Sequence, residues 1–226
     1  MSDLIVFAVF PYVATLFAIG GVLYRFAFLR HTVTARSSQL LESRMLYWGS
    51  VPWHVGILPI LAAHLLAAVF PGAWARLLGS PSRLYVLEVT GLALGALTAF
   101  GLAVLAVRRA SLLRHSRPLD LVALVALALQ VVTGVWIALT LRWGSGWYVH
   151  TAAPWLASLA RLDPRLDAMA TLPPVVKVHA VNAFVILALV PFTRLVHAVK
   201  VPLGSFFRSP QLVLWRRAPS SPEVIR

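Results

Sequence analysis

Five long apolar segments, separated by polar connections, account for most of this chain of 226 residues. The segments cover roughly residues 4–29, 51–70, 84–107, 119–141 and 174–198. Each is about as long as the ~20 apolar residues that a helix needs to cross the hydrocarbon core of a bilayer. The pattern therefore predicts an all-α integral membrane protein with five transmembrane helices. In this prediction residues 1–198 form the membrane domain and residues 199–226 form a basic tail.

Basic residues follow the first and third apolar segments and recur in the tail, whereas the connection after the second segment carries only Arg76 and Arg83. Lysine and arginine are enriched in the cytoplasmic connections of membrane proteins. The distribution predicts that the N-terminus lies outside the membrane and the C-terminus lies in the cytoplasm. The arginines concerned are Arg30, Arg36, Arg44, Arg108, Arg109, Arg114, Arg117, Arg208, Arg216, Arg217 and Arg226.

Composition agrees with a membrane protein, because 60% of the residues are apolar, only 12% are charged, and the mean hydropathy is +0.83. The net charge of +13 follows from the basic connections, so we expect no nucleic-acid partner. The chain has no cysteine, which excludes disulfides, thiolate-held iron–sulfur clusters and covalently attached haem. Any metal must therefore be held by histidine or oxygen ligands.

Four histidines lie within two of the apolar segments: His54 and His64 in the second, His179 and His197 in the fifth. An ionisable side chain inside a membrane segment usually faces the protein interior, a water path or a metal. Three crossings separate the two segments, so they should run antiparallel. His54 should then lie at the depth of His197 near the cytoplasm, and His64 at the depth of His179 near the outside. In one unbroken helix His179 and His197 would share a face about 27 Å apart.

Two histidine pairs on facing antiparallel helices suit two haem groups, because each planar macrocycle takes one imidazole from either side. The alternative is that the histidines only form structural hydrogen bonds. The presence of four histidines in two segments favours haem binding over this alternative. The small residues Gly56, Ala62, Ala63 and Ala180 would leave room for a flat ring, or would serve helix packing. Arg194 could pair with a haem propionate or extend to the membrane interface.

The sequence indicates less specific roles for several other residues. His31, His115 and His150 fall in connections, where solvated surface roles are expected. Glu88 could pair with Lys177 or with Arg83. Residues 153–162 are expected to form a short amphipathic piece lying partly on the outer surface, and Pro59 is expected to kink the second segment.

Three stretches of the sequence form a distinctive set. The second segment carries His54-Val55-Gly56-Ile57-Leu58, with another histidine ten residues after His54. The fifth carries Pro191-Phe192-Thr193-Arg194-Leu195-Val196-His197, followed by Val201-Pro202, and Ser37-Ser38-Gln39 lies between the first two segments. With these stretches the chain resembles, over nearly its whole length, a known family, the gamma subunit, or membrane cytochrome b, of respiratory nitrate reductase.

The resemblance implies a proximal b haem held by His54 and His197 and a distal b haem held by His64 and His179, the same pairs that the topology indicates. It also implies a quinol site beside the distal haem, contacted by a basic residue at the start of the third segment. Arg83 matches that position, where the family pattern has lysine. Quinol would be oxidised near the outer surface, and electrons would pass through both haems to the cytoplasmic side.

The partners that the resemblance implies are an iron–sulfur beta subunit and a molybdenum-cofactor alpha subunit, which carries out nitrate reduction in anaerobic respiration. Both would lie on the cytoplasmic side of a prokaryotic inner membrane. The basic connections and the tail 199–226 would dock the iron–sulfur subunit, and binding of anionic lipid is the other role open to those charges.

Three alternatives differ from this interpretation in kind. A related membrane cytochrome b could serve a sulfur-compound or heterodisulfide reductase. A haem-free transporter could use the histidines as a proton relay. A purely structural membrane anchor would need none of them for electron transfer.

Overall fold

The computed structural model of the protein describes residues 2–28, 44–111 and 118–198, and these residues form helices and connections without any β-strand. In chain order the helices are α1 (Ser2–Phe28, with a π-helical turn at Ile5–Val9), α2 (Arg44–Val69), α3 (Pro71–Leu78), α4 (Pro81–Ser111), α5 (Pro118–Thr140), α6 (Gly144–His150), α7 (Ala152–Ala160), α8 (Asp167–Ala170) and α9 (Pro174–Leu189). Five helical segments in these ranges are long and apolar enough to cross a membrane, namely α1, α2, α4, α5 and α9 with the turn that follows it. The predicted all-α architecture with five such helices is confirmed.

The helix boundaries differ from the apolar segments mainly at their beginnings. α2 begins at Arg44 and not near residue 51, and α4 begins at Pro81 and continues to Ser111. Proline is the first residue of α4, α5 and α9, where its fixed φ favours the helix and its missing N–H costs nothing. Hydropathy alone does not locate these helix ends, because the terminal turns of the helices extend beyond their apolar segments. α2 also continues through Pro59 as one helix, and the expected kink stays a prediction.

The fifth membrane segment is not one helix, so the expectation of an unbroken helix over residues 174–198 is wrong. α9 ends at Leu189, a 3₁₀ turn covers Val190–Phe192, and Thr193 is extended with φ −121° and ψ −177°. A second 3₁₀ turn then covers Arg194–Ala198. Pro191 has no N–H for the α-helical ladder, which explains the break. His197 therefore does not share a helical face with His179.

The break after α9 is held by an arginine from the first membrane helix. Arg25 donates from Nη1 to the carbonyl oxygen of Pro191 at 2.7 Å and, more weakly, to that of Thr193 at 3.5 Å. Gly21, one turn earlier on α1, allows this approach, because a Cβ there would lie 2.7 Å from the ring of Pro191. Carbonyls released from a helix inside a membrane need such donors, so α1 stabilises the segment that leads to His197.

The closest helix packing joins α2 to α4 through glycines on both helices. A Cβ on Gly101 would lie 2.5 Å from the backbone nitrogen of Trp53 and 2.7 Å from the carbonyl oxygen of Gly49. A Cβ on Gly56 would collide with the buried Thr98. Small residues let membrane helices approach this closely, so Gly56 serves helix packing in this structure.

The helix α7 belongs to the stretch that was expected to lie partly on the outer surface, and it packs beside the start of α1. Trp155 is only 2% exposed and donates from its indole nitrogen to the carbonyl oxygen of Phe7 at 2.9 Å. Its ring meets those of Phe7 and Phe184 edge-on, at centroid distances of 6.2 and 5.8 Å. The small residues Ala152 and Ala153 are buried with it. The indole hydrogen bond and the apolar contacts together make α7 part of the core.

Replacing Gly101 with alanine should destabilise the protein, because the added methyl group meets the backbone of α2 and the two helices must separate. Overpacking of this kind costs about 1–3 kcal/mol. Gly91→Ala on the same helix is the matched control, since a Cβ there has nothing within 4 Å. Thermal unfolding in detergent should show a lowered midpoint for the first variant alone. Equal midpoints would contradict the proposed role of close α2–α4 packing.

Candidate functional site

The structure brings His54 and His197 together at one end of the helix bundle, although they come from segments distant in the chain. His54 lies in the third turn of α2, and His197 lies in the 3₁₀ turn after α9. Their ring centroids are 6.1 Å apart, and the ring planes are inclined by 67°. The break at Thr193 turns the chain so that this contact forms. We call this end of the bundle the His54 end.

The second pair, His64 and His179, lies towards the opposite end, which we call the His64 end. His64 follows His54 by ten residues on α2, and His179 lies in the second turn of α9. The ring of Tyr148 on α6 packs edge-on against His64, with centroids 5.6 Å apart. Its hydroxyl donates to the backbone carbonyl of His64 at 3.3 Å.

The contact of Tyr148 with His64 was not predicted from the sequence. Burial raises the pKa of the Tyr148 phenol above its ordinary value, so the hydroxyl keeps its proton near neutral pH. It can therefore serve as a permanent hydrogen-bond donor to α2. The sequence contained no periodic signal for this contact, because α6 lies in the long connection between two membrane helices.

Three of the four histidines use Nδ1 in a hydrogen bond to their own backbone, three or four residues earlier. His54, His64 and His197 bond to the carbonyl oxygens of Ser50 (2.7 Å), Ile60 (2.8 Å) and Arg194 (2.6 Å), respectively. A carbonyl oxygen only accepts, so each Nδ1 must carry the proton. In the neutral imidazole, Nε2 then presents its lone pair.

His179 has the same tautomer, but its hydrogen-bond partners are two side chains of α5. Its Nδ1 lies 2.9 Å from Thr133 Oγ1, and its Nε2 lies 3.0 Å from the amide nitrogen of Gln130. The Gln130 side-chain oxygen in turn accepts from Asn182 at 2.7 Å. The amide donates to Nε2, so Nε2 is again an acceptor and Nδ1 the donor. Gly134 makes room for the ring, because a Cβ there would lie 3.0 Å from His179 Cε1.

All four imidazoles therefore have the chemistry of axial haem ligands, with a proton on Nδ1 and a lone pair on Nε2. Within residues 2–28, 44–111 and 118–198, no group of three or more histidine or carboxylate side chains could hold a metal ion. A haem iron would need only two protein ligands, because the macrocycle supplies its other nitrogen ligands. The pair of His54 and His197, with ring centroids 6.1 Å apart, fits this requirement. At His179 an iron and the Gln130 amide would use the same lone pair, so Gln130 would have to release it.

The His54 end contains an ionic cluster around Asp120, the acidic residue in the first turn of α5. Its Oδ2 lies 3.1 Å from Arg109 Nη2 and 3.2 Å from Arg194 Nε, and its side chain is only 10% exposed. The cluster joins the end of α4, the start of α5 and the turn that carries His197. Asp120 was not predicted as part of a site, although a carboxylate in the first turn of an apolar helix after several arginines is a recognisable signal. Pairing of Arg194 with a haem propionate stays a prediction, and Asp120 is its partner here.

At the His64 end, Arg83 interacts with the end of α3. Its Nε donates to the carbonyl oxygen of Leu77 at 2.7 Å and its Nη2 to that of Arg76 at 3.3 Å, while the residue remains exposed. These bonds satisfy carbonyls at a helix C-terminus, where a cation is favourable. The role of Arg83 as a quinol contact is a prediction that this arrangement does not test.

Neither ion pair expected for Glu88 is among the contacts of the described residues. Glu88 instead accepts from the backbone N–H of Ser145 at 2.9 Å, at the start of α6. Lys177 donates to the carbonyl oxygen of Ala170 at 3.0 Å. His150 is exposed at the end of α6, in agreement with a surface position. His31, His115 and the tail 199–226 lie outside the described residues.

Comparison with known proteins assigns the chain to a family. The model of the nitrate reductase gamma subunit family matches residues 3–216. This chain belongs to that family. It is 32% identical over 215 residues to the nitrate reductase gamma chain of Bacillus subtilis, covering 92% of this chain and 96% of that protein. It is 31% identical over 220 residues to the respiratory nitrate reductase 2 gamma chain of Escherichia coli, with coverages of 92% and 95%.

A third relative has a different length. Nitrate reductase-like protein NarX of Mycobacterium tuberculosis is 33% identical over 211 residues, which are 88% of this chain but only 32% of that protein. The gamma subunit sequence can therefore occur as one part of a longer chain. The resemblance inferred from the histidine motifs is confirmed, and this gamma subunit is the membrane subunit of a nitrate reductase.

Replacing Asp120 with asparagine should destabilise the gamma subunit, because it removes the negative charge shared by Arg109 and Arg194. A hydrogen bond to a charged group contributes about 1.5–3 kcal/mol. Thermal unfolding in detergent should show the loss. Asp163→Asn, at an exposed position after α7, is the control and should leave the midpoint unchanged. Equal behaviour of the two variants would show that the cluster contributes no stability.

Proposed function

We propose that this gamma subunit is a di-haem cytochrome b that oxidises quinol near the outer membrane surface and delivers electrons to a cytoplasmic iron–sulfur subunit. The observation that carries the proposal is the set of four membrane-embedded imidazoles, all with Nδ1 protonated and Nε2 as an acceptor. These Nδ1 bonds also satisfy each imidazole locally, and haem is favoured because they leave Nε2 as an acceptor in all four and because His54 and His197 face each other with ring centroids 6.1 Å apart. His54 and His197 are assigned to the proximal b haem, and His64 and His179 to the distal b haem.

The orientation that we propose places the His54 end at the cytoplasm. Arginines of the described residues are concentrated at this end, namely Arg25, Arg44, Arg108, Arg109 and Arg194. The positive-inside tendency supports this orientation, with the N-terminus outside and the C-terminus inside. The family is found in bacteria such as Bacillus subtilis and Escherichia coli, which supports the cytoplasmic, or inner, membrane as the location.

The residues of this chain would bind and orient the redox groups and the quinol. When bound, the two b haems supply one-electron transfer across the bundle. The four Nδ1 hydrogen bonds keep each imidazole in one tautomer and one orientation. Quinol oxidation releases two protons with its two electrons, and at the His64 end those protons would leave on the outer side.

Arg83 is the residue that we assign to quinol contact. It lies at the start of α4 on the His64 end, and its guanidinium is exposed while holding the end of α3. A cation there could donate a hydrogen bond to a quinol oxygen. The substitution of arginine for the family's lysine keeps both the charge and the donor.

The partners that we propose are an iron–sulfur beta subunit and a molybdenum-cofactor alpha subunit, since the relatives are named as gamma chains of nitrate reductase. Nitrate reduction would take place in the alpha subunit. The basic tail 199–226 and the arginines of the His54 end would dock the beta subunit, and the membrane quinol pool would supply the electrons.

The haem assignment is tested by counting haems. The purified chain should contain two b haems by pyridine haemochrome assay and reduced-minus-oxidised spectra. His54→Ala and His64→Ala should each retain one, because each removes an axial ligand of a different pair. His150→Ala, at an exposed position of α6, should retain both. A colourless wild-type chain would contradict the cytochrome assignment and favour a histidine relay.

The quinol contact is tested at Arg83. Arg83→Gln should raise the KM for quinol severalfold, with the haem content unchanged, because the cationic donor is lost. Arg83→Lys should retain a near-normal KM. The neighbouring exposed Arg76→Gln is the control for loss of one positive charge at this end. Equal KM values for Arg83→Gln and Arg76→Gln would reject a specific contact at Arg83.

A further inference from the structure

Thr133 on α5 differs from the residues that hold the other three histidines. His54, His64 and His197 bond through Nδ1 to a carbonyl of their own segment, whereas Nδ1 of His179 lies 2.9 Å from the Thr133 hydroxyl on a neighbouring helix. Thr133 is only 8% exposed, so the hydroxyl is shielded from solvent and lipid. The hydrogen bond that orients His179 therefore depends on the packing of α5 against α9.

The direction of this hydrogen bond follows from the single proton of the hydroxyl. Thr133 Oγ1 donates to the carbonyl oxygen of Leu129 at 2.7 Å, with that of Gln130 further away at 3.2 Å. Because the proton is used there, Oγ1 can only accept from His179. The imidazole Nδ1 must be the donor, and the Gln130 amide on Nε2 requires the same tautomer.

Two further features of α5 and α9 support this position of the ring, one in contact with it and one that joins the two helices. Gly134, next to Thr133, leaves just enough space for Cε1 of His179, at 3.0 Å from a notional Cβ. Asn182, one turn after His179 on α9, donates to the carbonyl oxygen of Ala126 at 2.9 Å and is buried. This second polar bond between α5 and α9 keeps the register in which Thr133 faces His179.

We propose that Thr133 is a positioning residue for the distal haem and that it sets the reduction potential of that haem through His179. The inference rests on the proposed di-haem function. An acceptor on Nδ1–H draws the proton away from the ring and makes Nε2 a stronger donor, which favours oxidised iron. Removing the acceptor weakens that donation, so the distal haem becomes easier to reduce.

The test is a redox titration of membranes that contain the full chain with its partner subunits, in wild-type and Thr133→Val forms. Valine keeps the shape of threonine but cannot accept a hydrogen bond. The distal midpoint potential, identified as the wave that disappears in His64→Ala, should shift upwards, and the proximal midpoint should stay unchanged. The electron paramagnetic resonance signal of the oxidised distal haem should move as well. Thr133→Ser should restore both values.

Thr140→Val is the matched control, because Thr140 also lies on α5 and also donates to the carbonyl four residues earlier, at 2.7 Å from Trp136. It should shift neither potential. Loss of the distal haem in Thr133→Val with retention in Thr133→Ser would also support the inference. Unchanged potentials in a Thr133→Val chain with two haems would overturn this inference alone. A wild-type chain without haem would overturn the proposed function together with it.

Discussion

Polar groups inside a membrane have no water to bond with, and this constraint governs how the described part of the chain is built. Each buried donor or acceptor must find a partner within the protein. The hydroxyls of Thr98 and Thr133 each donate to a carbonyl oxygen of their own helix, and the amide of Asn182 on α9 donates to a carbonyl oxygen of α5. The same requirement assigns the proton of each imidazole to Nδ1. The chemistry of the candidate site is thus a consequence of polar satisfaction in an apolar solvent.

The break in the fifth segment follows from the same constraint and has a functional consequence. Pro191 interrupts the helical ladder and Thr193 is extended, so backbone carbonyls are released within the bundle. Arg25 from α1 donates to two of them. The chain then turns, and His197 meets His54. A helix defect that would destabilise a membrane protein on its own is here compensated by a neighbouring helix, and it completes one histidine pair.

The two histidine pairs are linked through one rigid element. His54 and His64 both lie on α2 and are separated by ten residues, or about 15 Å along a helix axis. The glycines that join α2 to α4 hold that helix in place. The ends of the bundle then differ in chemistry: arginines and Asp120 surround the His54 end, and aromatic side chains such as Tyr148 and Trp155 pack the His64 end. Under the proposed function, electrons would enter at the aromatic His64 end and leave at the charged His54 end.

The amino-acid sequence by itself determined the features that depend on local composition. Apolar segment length predicts five helices, and the antiparallel order of crossings predicts which histidines meet, since both follow from counting residues against the thickness of a bilayer. The tertiary structure alone decided contacts between distant segments. The break after Leu189, the pairing of Asp120 with Arg194, the burial of Trp155 and the hydrogen bond of Thr133 to His179 each depend on helix rotation and register. In a uniformly apolar helix, hydropathy specifies neither the rotation of the helix nor its register against its neighbours, because all its faces have similar affinity for lipid.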